Sequence, residues 1–144
     1  MNTSWTTLCS DTPELAQAIT SRFKANLHHI LGTIRPDGSV RLSGTEVTID
    51  PDHVGLGMMP HSHKLNDVRR DPRVELHSAP LDAHLGGGDA KLVGVLIETG
   101  ETEGQPCAAF TLDVTKASLV RVTGDQLEFT TWSPSSGIRI LHRS

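Results

Sequence analysis

The sequence is poor in aromatic residues and carries no excess of basic ones. Among its 144 residues there is no tyrosine, and only three phenylalanines and two tryptophans are present. Few rings are therefore available to stack on nucleic-acid bases. The 17 acidic residues outnumber the 13 basic ones, for a net charge of −4, whereas a protein that binds the phosphate backbone needs a basic face. These shortages predict that the protein has no nucleic-acid partner.

Long apolar runs and paired cysteines are also missing. No stretch approaches the ~20 apolar residues of a membrane span, and the first residues lack the basic and apolar segments of a secretory signal. Cys9 and Cys107 are the only cysteines and do not form a Cys-x-x-Cys pair, which argues against a zinc or redox motif. We therefore expect reduced thiols, a cytoplasmic protein and no membrane partner.

Signatures of metal binding and nucleophilic catalysis are absent as well. The eight histidines are scattered, without a His-Glu-x-x-His pair or a cysteine pair beside them. There is no Gly-x-Ser-x-Gly sequence, and neither cysteine has neighbours that would lower its pKa. The sequence therefore predicts no metal site and identifies no catalytic residue.

The residue pattern predicts a strand-rich chain with little helix. Thr12, Pro13 and Glu14 are typical of a helix start, and this helix is expected to end near Leu27. Period-two alternation then predicts strands, interrupted by one short helix over residues 64–70 that Asp71-Pro72 stops. The expected strands are residues 30–34, 40–49, 53–59, 73–78, 90–99, 109–122 and 126–132. Such chains close into barrels or sandwiches, here as one domain over residues 1–144.

The segment from Gly57 to Lys64 is the strongest candidate for a ligand site. It joins a strand to the short helix, and a helix start offers unpaired N–H groups that favour anions. Ser62, His63 and Lys64 add a hydroxyl, an imidazole and an ammonium group, a set that suits phosphate. The alternative is that Ser62 only caps the helix and that Lys64 is a solvated surface charge.

Arg41 is a second candidate, because its strand should pair near the short helix. A guanidinium facing a pocket grips phosphate with two parallel hydrogen bonds. The alternative is an exposed strand arginine without a ligand.

Three motifs resemble the pyridoxamine 5′-phosphate oxidase-like FMN-binding split barrels, in the flavin or deazaflavin oxidoreductase type of actinobacteria. Residues 31–43 are similar to the first hairpin of that family, and residues 62–64 with 67–74 resemble its cofactor-phosphate segment. Residues 132–139 are similar to a tail motif of the actinobacterial members. The three motifs occur in the family's order, and the resemblance spans Pro13 to Arg143.

The resemblance implies a mainly β fold: a split β-barrel of six to seven antiparallel strands with an N-terminal helix and one short inserted helix. It further implies a homodimer with FMN, or alternatively the deazaflavin coenzyme F-420, at the subunit interface. The phosphate would be approached by Arg41, Ser62, His63 and Lys64. The ring or ribityl part would lie against Leu42, Ser43, Gly57 and Met58. The partner subunit or the rim would contribute Asp89, Trp132 and Arg139.

Two positions depart from that family's pattern. His63 replaces an arginine of the phosphate segment, and Glu46 replaces a basic residue found in the vitamin B6 enzymes. The resemblance implies an oxidoreductase that acts on a small organic substrate through its flavin or deazaflavin. The alternatives are a non-catalytic protein that binds a flavin, deazaflavin or haem-type ring, and a barrel that has lost its ligand.

Overall fold

The computed structural model describes residues 4–80, 87–101, 104 and 106–144. Helices and strands follow the chain in the order α1 (Ser4–Asp11), α2 (Pro13–Lys24), β1 (His28–Ile34), β2 (Val40–Ile49), β3 (Val54–Met58), α3 (His63–Arg70), β4 (Arg73–His77), β5 (Asp89–Glu101), β6 (Ala108–Thr123), β7 (Gln126–Ser133) and β8 (Gly137–Arg143). None of the helices in these ranges is long and apolar enough to cross a membrane.

Six antiparallel strands close into a barrel, which confirms the expected fold. Their order is β3-β2-β1-β4-β5-β6, and pairing of β3 with the first part of β6 closes the ring. The long β6 continues beyond β3 and pairs there with β7, so that β7 and β8 form a two-stranded extension. The structure is thus a split barrel with one strand more than the upper number expected.

Alternation along the strands separates a core face from an outer face. On β5, the buried residues Ala90, Leu92 and Leu96 alternate with half-buried ones that point outward. Gly94 lies on the inner face at the point where the pairing of β5 and β6 shifts register. A side chain there would clash, because a Cβ atom would lie 2.1 Å from the carbonyl oxygen of Asp113.

Two helices precede the barrel and contribute to its core. Trp5 and Leu8 of α1 and Ile19 and Phe23 of α2 are almost fully buried. The indole Nε1 of Trp5 also donates to the carbonyl oxygen of Asp50 at 2.8 Å. Helix α1 was not predicted from the sequence, because its Thr, Ser and Cys residues are weak helix formers and packing of Trp5 and Leu8 against the barrel stabilises it instead.

Helix α2 ends three residues earlier than Leu27, at Lys24. The reason is the buried ring of His29, the second residue of β1. Its Nε2 lies 2.8 Å from the carbonyl oxygen of Phe23 and 2.9 Å from that of Asn26. The imidazole thereby satisfies carbonyl groups that the end of a helix leaves unpaired.

Strand β8 was also missed as a strand. The motif at residues 132–139 spans the end of β7, a turn and the start of β8, and Ser133 pairs with Gly137 across the hairpin. Every residue of β8 after Gly137 is exposed, so the strand lacks the buried alternation by which the other strands were found. The Pro134-Ser135-Ser136-Gly137 sequence is a turn signal that could have revealed it.

Candidate functional site

The turn between β3 and α3 has the geometry of a capped helix start. Ser62 is the N-cap residue, and its Oγ accepts the backbone N–H of Leu65 at 3.3 Å. Before it, His61 adopts a positive φ of 65°, a conformation that costs free energy for a residue with a side chain. The capping role of Ser62 uses its oxygen as an acceptor and leaves its hydroxyl hydrogen to donate elsewhere.

Lys64, in the first turn of α3, reaches across to β2. Its Nζ donates to the carbonyl oxygen of Gly44 at 2.8 Å. The side chain is partly buried, and this burial lowers the pKa of Lys64. A desolvated ammonium with donors to spare is a favourable partner for an anion.

A buried carboxylate fastens α3 to the barrel. Asp67 is only 1% exposed and accepts hydrogen bonds from Thr33 Oγ1 at 2.8 Å and Arg41 Nε at 2.7 Å. Arg70, one turn further along α3, lies 3.4 Å from the second carboxylate oxygen and donates to the carbonyl oxygen of Ile34. Burial alone would raise the pKa of Asp67, but the hydrogen bonds from Arg41, Thr33 and Arg70 outweigh it and lower the pKa.

This arrangement explains where the predicted Arg41 lies. Its side chain is 23% exposed and is ion-paired with Asp67 through Nε, rather than free on the strand surface. The next inward-pointing residue of β2, Ser43, has a buried Oγ without a hydrogen-bond partner in the described part of the chain. Buried hydroxyl groups are normally satisfied, so Ser43, on the inward face of β2, is an exception among the described residues.

A groove of about 550 Å³ lies on the outer face of β2, β3 and β6 and is called here the first groove. Its floor consists of outward-facing positions with small or no side chains. Thr48 and Gly55 are paired across β2 and β3, and Gly57 pairs with Ala109 across β3 and β6. Gly44 lines it as well, and nothing lies within 4 Å of a Cβ placed there. The floor is therefore low at Gly44, Gly57 and Ala109, whereas the imidazole of His53 covers Gly55, with Nε2 3.1 Å from the Cβ position of that glycine.

The first groove has polar walls and one cationic end. Lys64 and Met59 border it where α3 begins. Glu46 and His28 line one side with their side chains 3.6 Å apart, and His53, 3.2 Å from the carboxylate of Asp50, lines the far end. The groove runs along β3 from Met59 to Gly55, about 13 Å at ~3.3 Å per residue. One end of the groove is thus bordered by the ammonium group of Lys64 and the start of α3.

The structure brings only some of the predicted site residues to this groove. Gly57 and Lys64 line it. Ser62 caps the adjoining helix, and Arg41 and Ser43 lie on β2 under the edge of α3. His63 is exposed at the first position of α3. These residues come from three neighbouring elements, as the sequence predicted.

Other predicted residues lie elsewhere. The side chains of Met58 and Trp132 are 1% and 2% exposed and belong to the barrel core; alternation places Met59 rather than Met58 at the groove. Asp89 is half-buried at the start of β5, with Oδ1 unpartnered among the described residues, and Arg139 is exposed on β8. Neither Asp89 nor Arg139 lines the first groove.

Several residues of the groove were not among the individual site residues predicted from the sequence. His28, His53 and Met59 line it beside the small floor residues. The available signal was the period of two: with Met58 inward, Gly55, Gly57 and Met59 must share the outer face. Among the described residues, no three His, Cys, Asp or Glu side chains are placed to hold a metal ion.

A second groove of about 830 Å³ lies on the outer face of β1, β2, β4 and β5. It is lined chiefly by aliphatic residues, among them Ile30, Ile34, Val40, Leu42, Val93 and Val95. Val40 and Leu42 are 62% and 69% exposed. The predicted site residue Leu42 thus lines the second groove, whereas Gly44, two residues later on β2, lines the first groove.

Solved structures of other proteins share this fold. An FMN-binding, pyridoxamine 5′-phosphate oxidase-related protein from Nostoc punctiforme PCC 73102 superposes with a TM-score of 0.68 at 9% identity, covering 96% of this chain and 99% of that chain. No family model matches the chain, and no curated protein matches it. The likeness therefore establishes the fold that the sequence motifs had indicated.

Two further similar structures are named for different cofactors. An F420 reductase matches with a TM-score of 0.51 at 15% identity, over 62% of this chain and 86% of that chain. A haem-binding protein from Mycobacterium smegmatis matches with a TM-score of 0.59 at 16% identity, over 79% of this chain and 57% of that chain. The fold thus occurs in proteins whose names refer to three different cofactors.

Proposed function

We propose that the first groove binds the ring of FMN, or alternatively of the deazaflavin coenzyme F-420, and that the protein is an oxidoreductase acting on a small organic substrate. The observation that carries this proposal is the floor of small residues at Gly44, Gly57 and Ala109, which ends at Lys64 and the start of α3. A planar ring needs an uninterrupted surface, and its anionic tail needs donors at one end.

The volume and chemistry of the groove support this ligand class. A volume of about 550 Å³ falls in the range of roughly 300–1,000 Å³ found for small-molecule pockets. Lys64 supplies a partly desolvated ammonium, and Ser62 supplies a hydroxyl hydrogen beside the unpaired N–H groups of α3.

The phosphate end is therefore assigned to Lys64, Ser62 and the N–H groups of α3. Arg41 and Ser43 lie on the inward face of β2, outside the lining of the groove, and Arg41 Nε is bonded to Asp67.

When bound, the cofactor would supply the hydride chemistry. The residues of this chain would bind the phosphate end, present a floor of small residues to one ring face and exclude water from that face. No side chain of the groove is assigned as an obligatory acid or base. The substrate would approach the opposite ring face, which this subunit leaves open.

The second groove is the basis for proposing a homodimer. Val40 and Leu42 expose large aliphatic side chains beside Val93 and Val95 on one sheet face, and contiguous apolar surfaces of this kind mark contact sites. We propose that a second copy covers this face, which would bring its own residues close to the cofactor because β2 carries both grooves.

Titration with FMN and F-420, followed by fluorescence quenching, tests the proposed ligand. Saturable binding in the micromolar range is expected for one of them, and Lys64→Ala should weaken it about tenfold or more, since hydrogen bonds to charged groups contribute about 1.5–3 kcal/mol. Riboflavin, which lacks the phosphate, is the matched ligand and should be insensitive to Lys64→Ala. Binding of neither cofactor would contradict the proposal and leave a barrel without a ligand.

Turnover distinguishes an oxidoreductase from a carrier. Reduced cofactor bound to the protein should be reoxidised by candidate acceptors faster than free reduced cofactor. Equal rates with every acceptor would favour the non-catalytic alternative.

A haem-type ring is a second candidate ligand, favoured by the side chains around the groove. His28, His53, Met59 and Cys107 all line it, and each of these residue types ligates haem iron in proteins. Titration with haemin, followed by the Soret absorbance, tests this alternative. A spectral shift that His53→Ala abolishes would favour haem, and an unchanged spectrum would exclude it.

A further inference from the structure

Arg22 of α2 is a buried arginine that lines neither groove. The residue is only 7% exposed and shares the buried face of α2 with Ile19 and Phe23. Its Nε and Nη2 atoms are enclosed and have no hydrogen-bond partner within the part of the chain that the structure describes. A guanidinium in this state is costly, because its charge loses hydration without gaining a counter-charge.

The Nε and Nη2 atoms form the edge by which a guanidinium binds oxyanions. Their N–H bonds are nearly parallel and match the two oxygens of a carboxylate or a phosphate. The same edge of Arg69 donates to Glu98 at 3.0 and 2.9 Å. That of Arg73 donates to Asp71 at 3.0 and 2.7 Å. Both of these pairs lie at the surface, whereas the buried edge of Arg22 has more to gain from a partner.

The end of α2 does not supply that partner. An arginine near a helix C-terminus often donates to the last carbonyl groups of the helix. Here the carbonyl oxygens of Phe23 and Asn26 lie 2.8 and 2.9 Å from Nε2 of His29 instead. The side chain of Arg22 lies against the segment before β5, where a Cβ atom on Gly87 would be 3.4 Å from its Cδ and 3.8 Å from its Nη1.

The next residue, Gly88, lies against a second arginine. A Cβ on Gly88 would be 2.7 Å from Cγ of Arg121 and 2.7 Å from the carbonyl oxygen of Val120, so there is no room for a side chain. Gly87 and Gly88 have φ angles of 88° and 92°, which favour glycine. Among the described residues, only Arg22 has atoms within 4 Å of a Cβ on Gly87. On this side, no side chain of a described residue therefore covers the guanidinium of Arg22.

We propose that Arg22 binds an oxyanion beside Gly87, at a site separate from both grooves. The ligand is a molecule that carries a carboxylate or a phosphate group, to which the Nε and Nη2 edge donates two parallel hydrogen bonds. Arg121 adds positive charge nearby, part of which is offset by Glu128, whose carboxylate lies 3.5 Å from its Nη2. The site does not depend on the proposed cofactor.

Asp89, which directly follows Gly88, is the alternative partner of Arg22. Its Oδ1 is also buried without a hydrogen-bond partner among the described residues. Ala90 points into the core, so alternation directs the side chain of Asp89 to the outer face of β5. Arg22 lies on the core-facing side of α2. The two side chains therefore face different sides of the sheet, and removal of the Asp89 carboxylate tests whether they pair.

NMR titration of the protein without cofactor, with inorganic phosphate and with acetate at constant ionic strength, tests the site. Saturable shifts are expected for the Nε–H resonance of Arg22 and the backbone amides of Gly87 and Gly88 with at least one of these anions, and not with chloride. Lys64→Ala should leave these shifts unchanged, because Lys64 lies at the first groove. Failure of FMN and F-420 to bind would contradict the proposed cofactor role and leave this site unaffected.

Arg22→Gln should weaken the affinity for the anion about tenfold or more, because it removes both charged hydrogen bonds. Arg22→Lys keeps the charge without the paired edge and should weaken the affinity less. Arg73→Gln is the matched control, since it removes the same edge from a surface ion pair, and it should leave the affinity unchanged.

Three results would overturn the inference. The first is the absence of saturable shifts at Arg22 with both anions, and the second is an unchanged affinity in Arg22→Gln. The third is binding that appears only in Asp89→Asn, which would show that Arg22 pairs with Asp89 within the chain. The first and third are measured without altering Arg22, so they decide the question even if Arg22→Gln does not fold.

Discussion

The two grooves on the outside of this barrel show how one strand pattern can serve two purposes. Strand β2 contributes outward residues to both: Val40 and Leu42 to the second groove, and Gly44, Glu46 and Thr48 to the first. In both places the inner residues alternate with the outer ones in the same way. Only the size and polarity of the outward side chains differ.

This difference suits the two surfaces to different kinds of partner. Large exposed aliphatic residues gain free energy when another protein surface covers them, at roughly 25 cal/mol per Å². Glycine and threonine offer little area of that kind but allow a flat molecule to lie on the sheet. Helix α3, which borders only the first groove, adds a cation and a helix start there.

The largest expected effect on stability comes from removing the carboxylate that fastens α3 to the barrel. Helix α3 borders only the first groove, so this change separates the two grooves. Asp67→Asn should lower the free energy of unfolding by about 3 kcal/mol, because Arg41 loses the carboxylate that compensates its partly buried charge. Urea denaturation measures this change. Glu98→Gln is the control, since Glu98 pairs with Arg69 of α3 on the surface, where the two side chains are 39% and 52% exposed, and should change stability little. Equal effects of both variants would show that the network around Asp67 does not anchor α3.

A larger side chain on the floor of the first groove should weaken ligand binding without destabilising the fold. A Cβ at Gly44 meets nothing within 4 Å, so Gly44→Val should fold with unchanged stability and weaken FMN binding at least tenfold by occupying the floor. Gly32→Ala, on β1 in the second groove, is the control for the other face. Unchanged FMN affinity in Gly44→Val would mean that the ring lies elsewhere.

Placing a charge in the second groove should affect assembly alone. Leu42→Glu should weaken self-association about tenfold or more, because burying a leucine side chain contributes about 1.5–3 kcal/mol and a carboxylate opposes burial. Sedimentation velocity measures the change. Leu27→Glu is the matched control, since Leu27 is 64% exposed and lines neither groove. A monomeric unaltered protein would contradict the proposed role of this face.

The smallest expected effect is a pH dependence of stability that arises from Asp67 of α3. The folded protein lowers the pKa of Asp67, so the ionised carboxylate stabilises the fold above the ordinary aspartate pKa of ~3.9. That contribution is lost as the pH falls through the lowered pKa. The stability difference between the unaltered protein and Asp67→Asn should therefore shrink between pH 5 and pH 2, and a constant difference would contradict the assignment.

The sequence predicted the strands that bury one face and the helix that a proline stops. It did not predict α1 or β8, because Trp5 and Leu8 are held by the barrel rather than by helix propensity and β8 buries almost nothing. At the candidate site, the sequence indicated Ser62, Lys64 and Gly57 through local chemistry. It could not show that Arg41 is bonded to Asp67 or that Met59 replaces Met58 at the groove. Both depend on where two distant segments meet.

The most direct test of the account is an NMR titration of the protein with FMN, in which shifts of assigned backbone amides locate the ligand. The account predicts the largest shifts at Gly44, Gly57 and Lys64, with small shifts at Val93 and Val95. Shifts centred on Val93 and Val95, or no shifts at saturating FMN, would contradict the claim that the first groove is the cofactor site.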